Sequence, residues 1–234
     1  MDKRIMIAGG HYGSGKTEFC LNLAIELRKK NAKVAVIDLD IANPYFRSRE
    51  KIDAFKALGI QIFGNFFSEE VTLEIPALNS NVRAPLEDSE TAAIVDLGGD
   101  PDGAKVIVQF LSAFTAHDFE FLCVVNPNRP ETGTVEKAIL MMNRIEAWTT
   151  LKISGLVNNA HFLKETTPND CIEGAFFCSE IAARTGIPLR FNCCPERILP
   201  AFRASLSGGA FEKVPILPIR EIMRASWLDQ RLSE

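Results

Sequence analysis

Eight consecutive residues, Gly10-His11-Tyr12-Gly13-Ser14-Gly15-Lys16-Thr17, match the pattern G-x-x-x-x-G-K-S/T without a mismatch. The chemistry that needs this spacing is phosphate binding. Glycines let successive backbone N–H groups curl around phosphate oxygens, and a helix starting at the end of the loop adds positive potential. Lys16 is then placed to bridge β- and γ-phosphates, and the Thr17 hydroxyl to ligate Mg²⁺. The flanks fit, with an apolar run at 5–8 before the loop and an amphipathic run after it. A glycine turn that bound nothing would leave a lysine beside a cluster of N–H donors with no anion to offset them.

Two acidic stretches belong with that loop. One is Asp38-Leu39-Asp40, and the other is Asp96-Leu97-Gly98-Gly99-Asp100, each at the end of an apolar run. Carboxylates at strand ends can hold the waters that Mg²⁺ normally retains. Gly98 and Gly99 leave room for backbone to approach a γ-phosphate. The guanine-reading sequence Asn-Lys-x-Asp is absent. Instead one apolar run ends in Asn158-Asn159 and another in Cys194-Pro195-Glu196-Arg197. An asparagine amide donates and accepts together, which matches the N6 and N7 edge of adenine.

The elements that must position these residues are legible as alternating patterns. Strands are expected at 5–8, 34–39, 60–63, 92–97, 119–125, 151–157 and 189–193. Helices are expected near 16–30, 50–58, 103–113, 131–148 and 168–184, with a helical tail at 220–232. Phe19, Leu23 and Leu27 recur every four residues, as one face of a helix requires. Thr167-Pro168 reads as an N-cap followed by proline at the first helical position. Repeated strand–helix alternation predicts parallel strands with right-handed crossovers. The strands are continuous apolar runs, as expected when helices cover both faces. The prediction is one doubly wound, mostly parallel α/β sheet of about seven strands in a single domain over residues 1–234, interrupted by an irregular excursion at 65–90.

Composition narrows the classes. Lys and Arg number 26 against 30 Asp and Glu, a formal net charge of −4, and 47% of residues are hydrophobic. That balance excludes intrinsic disorder and argues against a dedicated nucleic-acid binder, which is usually strongly basic. No apolar run approaches the roughly 18 residues of a membrane span. The apolar run at 5–8 passes straight into the glycine loop, unlike a secretory signal. The six cysteines contain no Cys-x-x-Cys pair, and reduced thiols in a cytoplasm fit them best. Vicinal Cys193 and Cys194 should point to opposite faces of their strand. His117 and His161 read as ordinary loop residues.

Together these motifs, in this order, resemble the ParA/MinD/CobQ-CobB-like branch (SIMIBI class) of P-loop NTPases, over residues 3 to about 205. The resemblance implies that Asp40 polarises the attacking water and Asp96 holds a Mg²⁺-bound water. It also implies that Asn159 contacts adenine. The expected nucleotide contacts are Gly10, His11, Tyr12, Gly13, Ser14, Gly15, Lys16, Thr17 and Glu18, with Gly98, Gly99, Asn159, Pro195 and Glu196. Lys16 and Asp40 are the expected catalytic residues, and Thr17, Asp40 and Asp96 the expected metal-holding ones. Many members carry a signature lysine where His11 stands here, reaching across an ATP-bound dimer. Arg47 or Arg49 is a candidate replacement for its charge. Gly103 stands where the nitrogenase iron protein has a cluster-ligating cysteine, which disfavours electron transfer. The function implied is a Mg²⁺-dependent ATPase that switches a client protein, with an ATP-dependent homodimer. Alternatives are an ATP-dependent small-molecule ligase or kinase with its acceptor near 65–90, and a non-hydrolysing ATP-binding module.

Overall fold

Successive side chains of the first strand, β1 (Ile5–Gly9), enter two different cores. Ile5 and Ile7 join one buried cluster, and Met6 and Ala8 the other. A strand covered on both faces has no polar side, so its sequence reads as an unbroken apolar run. The same division runs through a computed structural model of the chain. It describes residues 3–31, 33–40, 49–64, 82–115 and 117–223.

The other strands are β2 (Lys33–Asp38), β3 (Ile60–Gly64), β4 (Thr91–Asp96), β5 (Phe119–Val125), β6 (Gly155–Asn158), β7 (Leu189–Pro195) and β8 (Ile216–Ile219). They form one sheet in the order β3-β2-β4-β1-β5-β6-β7-β8, with every pair parallel. The expected doubly wound α/β sheet is therefore present, with eight strands rather than about seven.

Helix α1 (Lys16–Arg28) lies on one face, where Phe19, Leu23 and Leu27 are buried with Val34, Val36 and Ile94. It shares that face with α2 (Arg49–Ala57), through Ile52 and Phe55. Burying one such large apolar side chain is worth about 1.5–3 kcal/mol. The short α3 (Ala84–Glu87) and α4 (Pro101–Lys105) are followed by α5 (Leu111–Thr115), α6 (Val135–Thr149) and α7 (Pro168–Thr185). On the opposite face Met142 and Ile145 of α6 and Cys178 and Ile181 of α7 join Ile7, Val95 and Cys123. Thr167 and Asp170 form a reciprocal capping box at the start of α7, and Gly186 ends it at φ 75°.

Three expectations are corrected. The helix expected over 103–113 is broken: α4 begins earlier, where Asp100 accepts from the N–H groups of Asp102 and Gly103. The β-branched run Val106-Ile107-Val108 then falls in a tighter 3₁₀ turn, Val106–Phe110, before α5. The strand expected over 151–157 starts only at Gly155. The preceding backbone is held by α6 instead, Leu151 N–H donating to Thr149 Oγ1 and Ile153 N–H to the Glu146 carboxylate. The third concerns the stretch after β7. Helix α8 (Leu199–Leu206) and β8 lie beyond the last strand expected. Pro218 suits β8 because an edge strand has no outer partner to donate to.

Residues 220–223 follow β8 without forming helix; the rest of the expected tail, from 224, lies outside the described residues. So do 65–81 of the expected excursion. Its remainder contains α3, with Val82 and Leu86 buried in the core. Among the described residues no helix is long and apolar enough to cross a membrane.

Candidate nucleotide-binding site

β1 lies between β4 and β5, and the chain leaves β1 toward β2 on one side but leaves neighbouring β4 toward β5 on the other, so the connections diverge at the carboxyl ends of β1 and β4. Open α/β sheets bind ligands in the crevice outside such a point. The Gly10–Thr17 loop occupies it here, and a cavity of about 1080 Å³ opens over the loop. His11, Tyr12, Gly13, Gly15, Lys16, Thr17, Glu18, Asp40, Asn159, Pro195 and Glu196 line the cavity. Gly10, Ser14, Asp96, Gly98 and Gly99 are not part of that lining.

Gly15 makes the turn into α1 at φ 85°. A Cβ there would come within 2.3 Å of Asn159 Nδ2 as well as being strained. The α1 N-terminus has no side-chain cap, which leaves its first N–H groups for a ligand. Lys16 is almost fully buried, and its Nζ donates to the His11 carbonyl at 3.2 Å. Ser14 lies in the middle of the loop. Its N–H closes a turn onto the His11 carbonyl at 3.1 Å, and its buried Oγ has no partner.

The carboxylates separate into two kinds. Asp38 Oδ1 accepts from the Asp40 N–H at 3.0 Å, and Asp100 Oδ1 accepts from Asp102 and Gly103. Both aspartates shape their own turns. Asp40 lines the cavity, and Asp96 lies just beneath it. Burial pushes the Asp96 carboxyl up to about 6, opposed by nearby Lys16 and by a hydrogen bond from Thr17, and reinforced by the Asp40 charge. Asp96 Oδ1 is buried and has no partner. An orphaned carboxylate oxygen beside a threonine hydroxyl and a second carboxylate is an all-oxygen donor set, which suits Mg²⁺.

Gly99 presses against the phosphate loop. A Cβ on it would meet the Tyr12 nitrogen at 2.7 Å and Lys16 Nζ at 2.8 Å. Gly98 is in equally close contact with Gly103, where a Cβ would stand 2.8 Å from the Gly98 Cα. Position 103 therefore has no room for a cysteine.

The two asparagines ending β6 divide their roles. Asn158 is fully buried and donates to the Cys171 carbonyl and to Asn192 Oδ1. Asn159 faces the cavity, and its Nδ2 donates to the Ser14 carbonyl at 2.7 Å. The Glu196 carboxylate is gripped by Arg220, through Nε and Nη2 at 3.0 Å each, which holds its carboxyl below the ordinary value. Glu18 accepts from the N–H groups of Ile222 and Met223, so it is engaged by the chain after β8. Burial raises its carboxyl, and those two N–H bonds oppose the rise.

Sequence reasoning missed several cavity residues. Arg129, in the loop after β5, donates from Nε to the Gly13 carbonyl at 2.9 Å. Its place at the end of a strand beside β1 was the available signal. His161, read as a loop residue, also lines the cavity, as do Arg220, Glu221 and Met223. Arg47 and the Arg49 side chain lie outside the described residues. Cys193 and Cys194 do face opposite ways, Cys193 toward the α1 face and Cys194 into a cluster with Cys171 and Phe202.

Comparison with known proteins places this geometry. No curated protein sequence matches the chain. Among solved structures, the cell division protein FtsY of Thermotoga maritima is similar over 80% of this chain and 60% of its own, at 17% identity and a TM-score of 0.51. Chloroplast FtsY of Physcomitrella patens is similar over 81% and 58%, at 17% identity and a TM-score of 0.53. The 54 kDa signal recognition particle protein of Aeropyrum pernix K1, solved in complex with GDP, is similar over 79% and 40%, at 22% identity and a TM-score of 0.49. This chain thus spans less than two-thirds of the length of each, and the likeness to the two FtsY structures is one of fold. The family model for CbiA, the CobQ/CobB/MinD/ParA nucleotide binding domain, matches residues 5–173. A match of that extent, running from β1 through the phosphate loop and both aspartate-ending strands into α7, makes the chain a member of the CobQ/CobB/MinD/ParA nucleotide-binding family of P-loop NTPases.

Proposed function

We propose that this protein binds and hydrolyses ATP with Mg²⁺, and that the two nucleotide states present different surfaces to a client protein. The observation that carries the reading is the orphaned Asp96 oxygen, buried beside Thr17 and Lys16 under an open cavity. A buried carboxylate oxygen without a partner is costly, and a hydrated cation on a bound phosphate would relieve it.

In this reading Lys16 and the free N–H groups of the α1 terminus hold the phosphates. Thr17, Asp40 and Asp96 hold the cation and its waters, and the cation neutralises charge developing on the phosphoryl oxygens. Asp40, which reaches the cavity, orients the attacking water. Asn159 supports adenine. Its Nδ2 spends one of its two N–H groups on the Ser14 carbonyl, and Oδ1 can accept from a base. The adenine N6 amine donates, whereas guanine presents the O6 acceptor at that edge. The switch follows from Gly99. Its contact with Tyr12 and Lys16 joins the 97–103 segment to the loop that would carry the γ-phosphate.

Calorimetric titration with ATP and GTP, with and without Mg²⁺, combined with phosphate release, tests the reading. The expected result is Mg²⁺-dependent ATP binding and turnover. Preference for GTP would overturn the adenine assignment, and no binding of either nucleotide would overturn the whole reading. Mass by light scattering with and without Mg-ATP tests the homodimer. A mass that ATP leaves unchanged would remove it.

A further inference from the structure

Four contacts tie the chain after β8 to the first two turns of α1. Glu18 accepts from the N–H groups of Ile222 and Met223. One turn further on, Asn22 brackets Arg220, its Nδ2 donating to the Arg220 carbonyl at 3.0 Å and its Oδ1 accepting from the Arg220 N–H at 2.9 Å. Asn22 is buried, so this bracket is shielded from water. The Arg220 side chain then turns the other way and grips Glu196, just beyond β7. Ile219, Arg220, Glu221 and Met223 all line the cavity on the side of Cys193 and Pro195.

We propose that residues 219–223 are a strap that forms the nucleobase wall of the site, and that Glu18, Asn22 and Arg220 are positioning residues holding it there. The proposal rests on the nucleotide reading above and deepens it by naming what fixes the base end. Glu18 directly follows Thr17, so the strap is anchored on the helix turn whose N-terminus faces the phosphates. Through Arg220 it also fixes Glu196, which directly follows Pro195 on the same side of the cavity. Lys16 in the phosphate loop and Asn159 after β6 bond elsewhere, to the His11 and Ser14 carbonyls. Disturbing the strap should therefore loosen the grip on a nucleoside and spare the grip on phosphates.

The test compares Mg-ATP with Mg-tripolyphosphate, which has the phosphates and no base or ribose. Calorimetric affinities are measured on the full chain for wild type, Glu18→Ala, Arg220→Ala and Arg220→Lys. The Arg220 side chain is half-exposed, so its variants keep the question answerable if Glu18→Ala lowers folding stability. Expected is a loss of about tenfold in ATP affinity for each alanine variant, with tripolyphosphate changed by less than about twofold. Arg220→Lys should recover part of the ATP loss, because the cation survives without the two-pronged grip. Equal losses for both ligands, or no loss for ATP, would overturn the strap while wild-type ATP binding kept the nucleotide reading. Wild type binding neither nucleoside triphosphate would overturn both.

Discussion

The two ends of the cavity are built on opposite plans. The phosphate end comes from one continuous stretch, Gly10–Thr17, whose turns rest on local glycines and the start of α1. The base end is assembled from the exits of β6 and β7 and the strap after β8, joined by bonds such as Asn22 to Arg220 across 198 residues. The first end is one local segment that Arg129 and Asn159 brace from outside, whereas the second exists only when three distant segments meet. In the proposed function, chemistry that every nucleotide shares would thus be placed in one local segment, and discrimination between nucleotides in tertiary structure.

Mutations at the phosphate end should give the largest effects. Lys16→Ala removes a buried cation from the loop, and ATP affinity should fall by about 100-fold or more, in line with roughly 3 kcal/mol for charge-assisted bonds. Calorimetry checks this, and unchanged affinity would remove the site from the Gly10–Thr17 loop. Asp40→Ala should split binding from turnover, keeping ATP affinity within about threefold while phosphate release falls by about 100-fold. Wild-type release in that variant would exclude Asp40 from catalysis. Asn159→Ala stands at the junction of the two ends. It leaves the Ser14 carbonyl without its donor, and ATP should bind about tenfold more weakly with a smaller preference over GTP. An unchanged preference would place base recognition elsewhere.

The smallest effect belongs to the opposite end of the sheet. Asp88 accepts from the Glu90 N–H, Lys33 and the Thr91 hydroxyl, which together hold its carboxyl down to about 2 from an ordinary 3.8. Because the folded value is the lower one, its contribution to stability is full above the ordinary value and is lost as pH falls through about 2. Asp88→Asn should erase that acid limb in thermal melts and leave ATP binding unchanged. A change in ATP affinity would show that the strand starts are coupled to the site after all.

The sequence was informative wherever neighbours along the chain decide the outcome. Strand–helix alternation, the N-cap at Thr167 followed by Pro168, and the stripe Phe19, Leu23, Leu27 depend on spacing alone, and all are present. Ile216-Leu217-Pro218-Ile219 escaped notice because four residues with an internal proline carry little strand signal. Asp38 and Asp100 could not be told from Asp40 and Asp96 by type, since only the folded turn shows which carboxylates accept from their own backbone. The strap was invisible for a simpler reason: Glu18 and Asn22 sit at helix-surface spacing, and nothing local names a partner some 200 residues away.

That separation bears on biosynthesis. At synthesis rates of about 5–20 residues per second, the strap emerges roughly 10–40 s after the helix that anchors it. The bond pair between Asn22 and Arg220 therefore closes only after all eight strands of the sheet have been synthesised, which makes the wall at residues 219–223 the last part of the cavity to be completed.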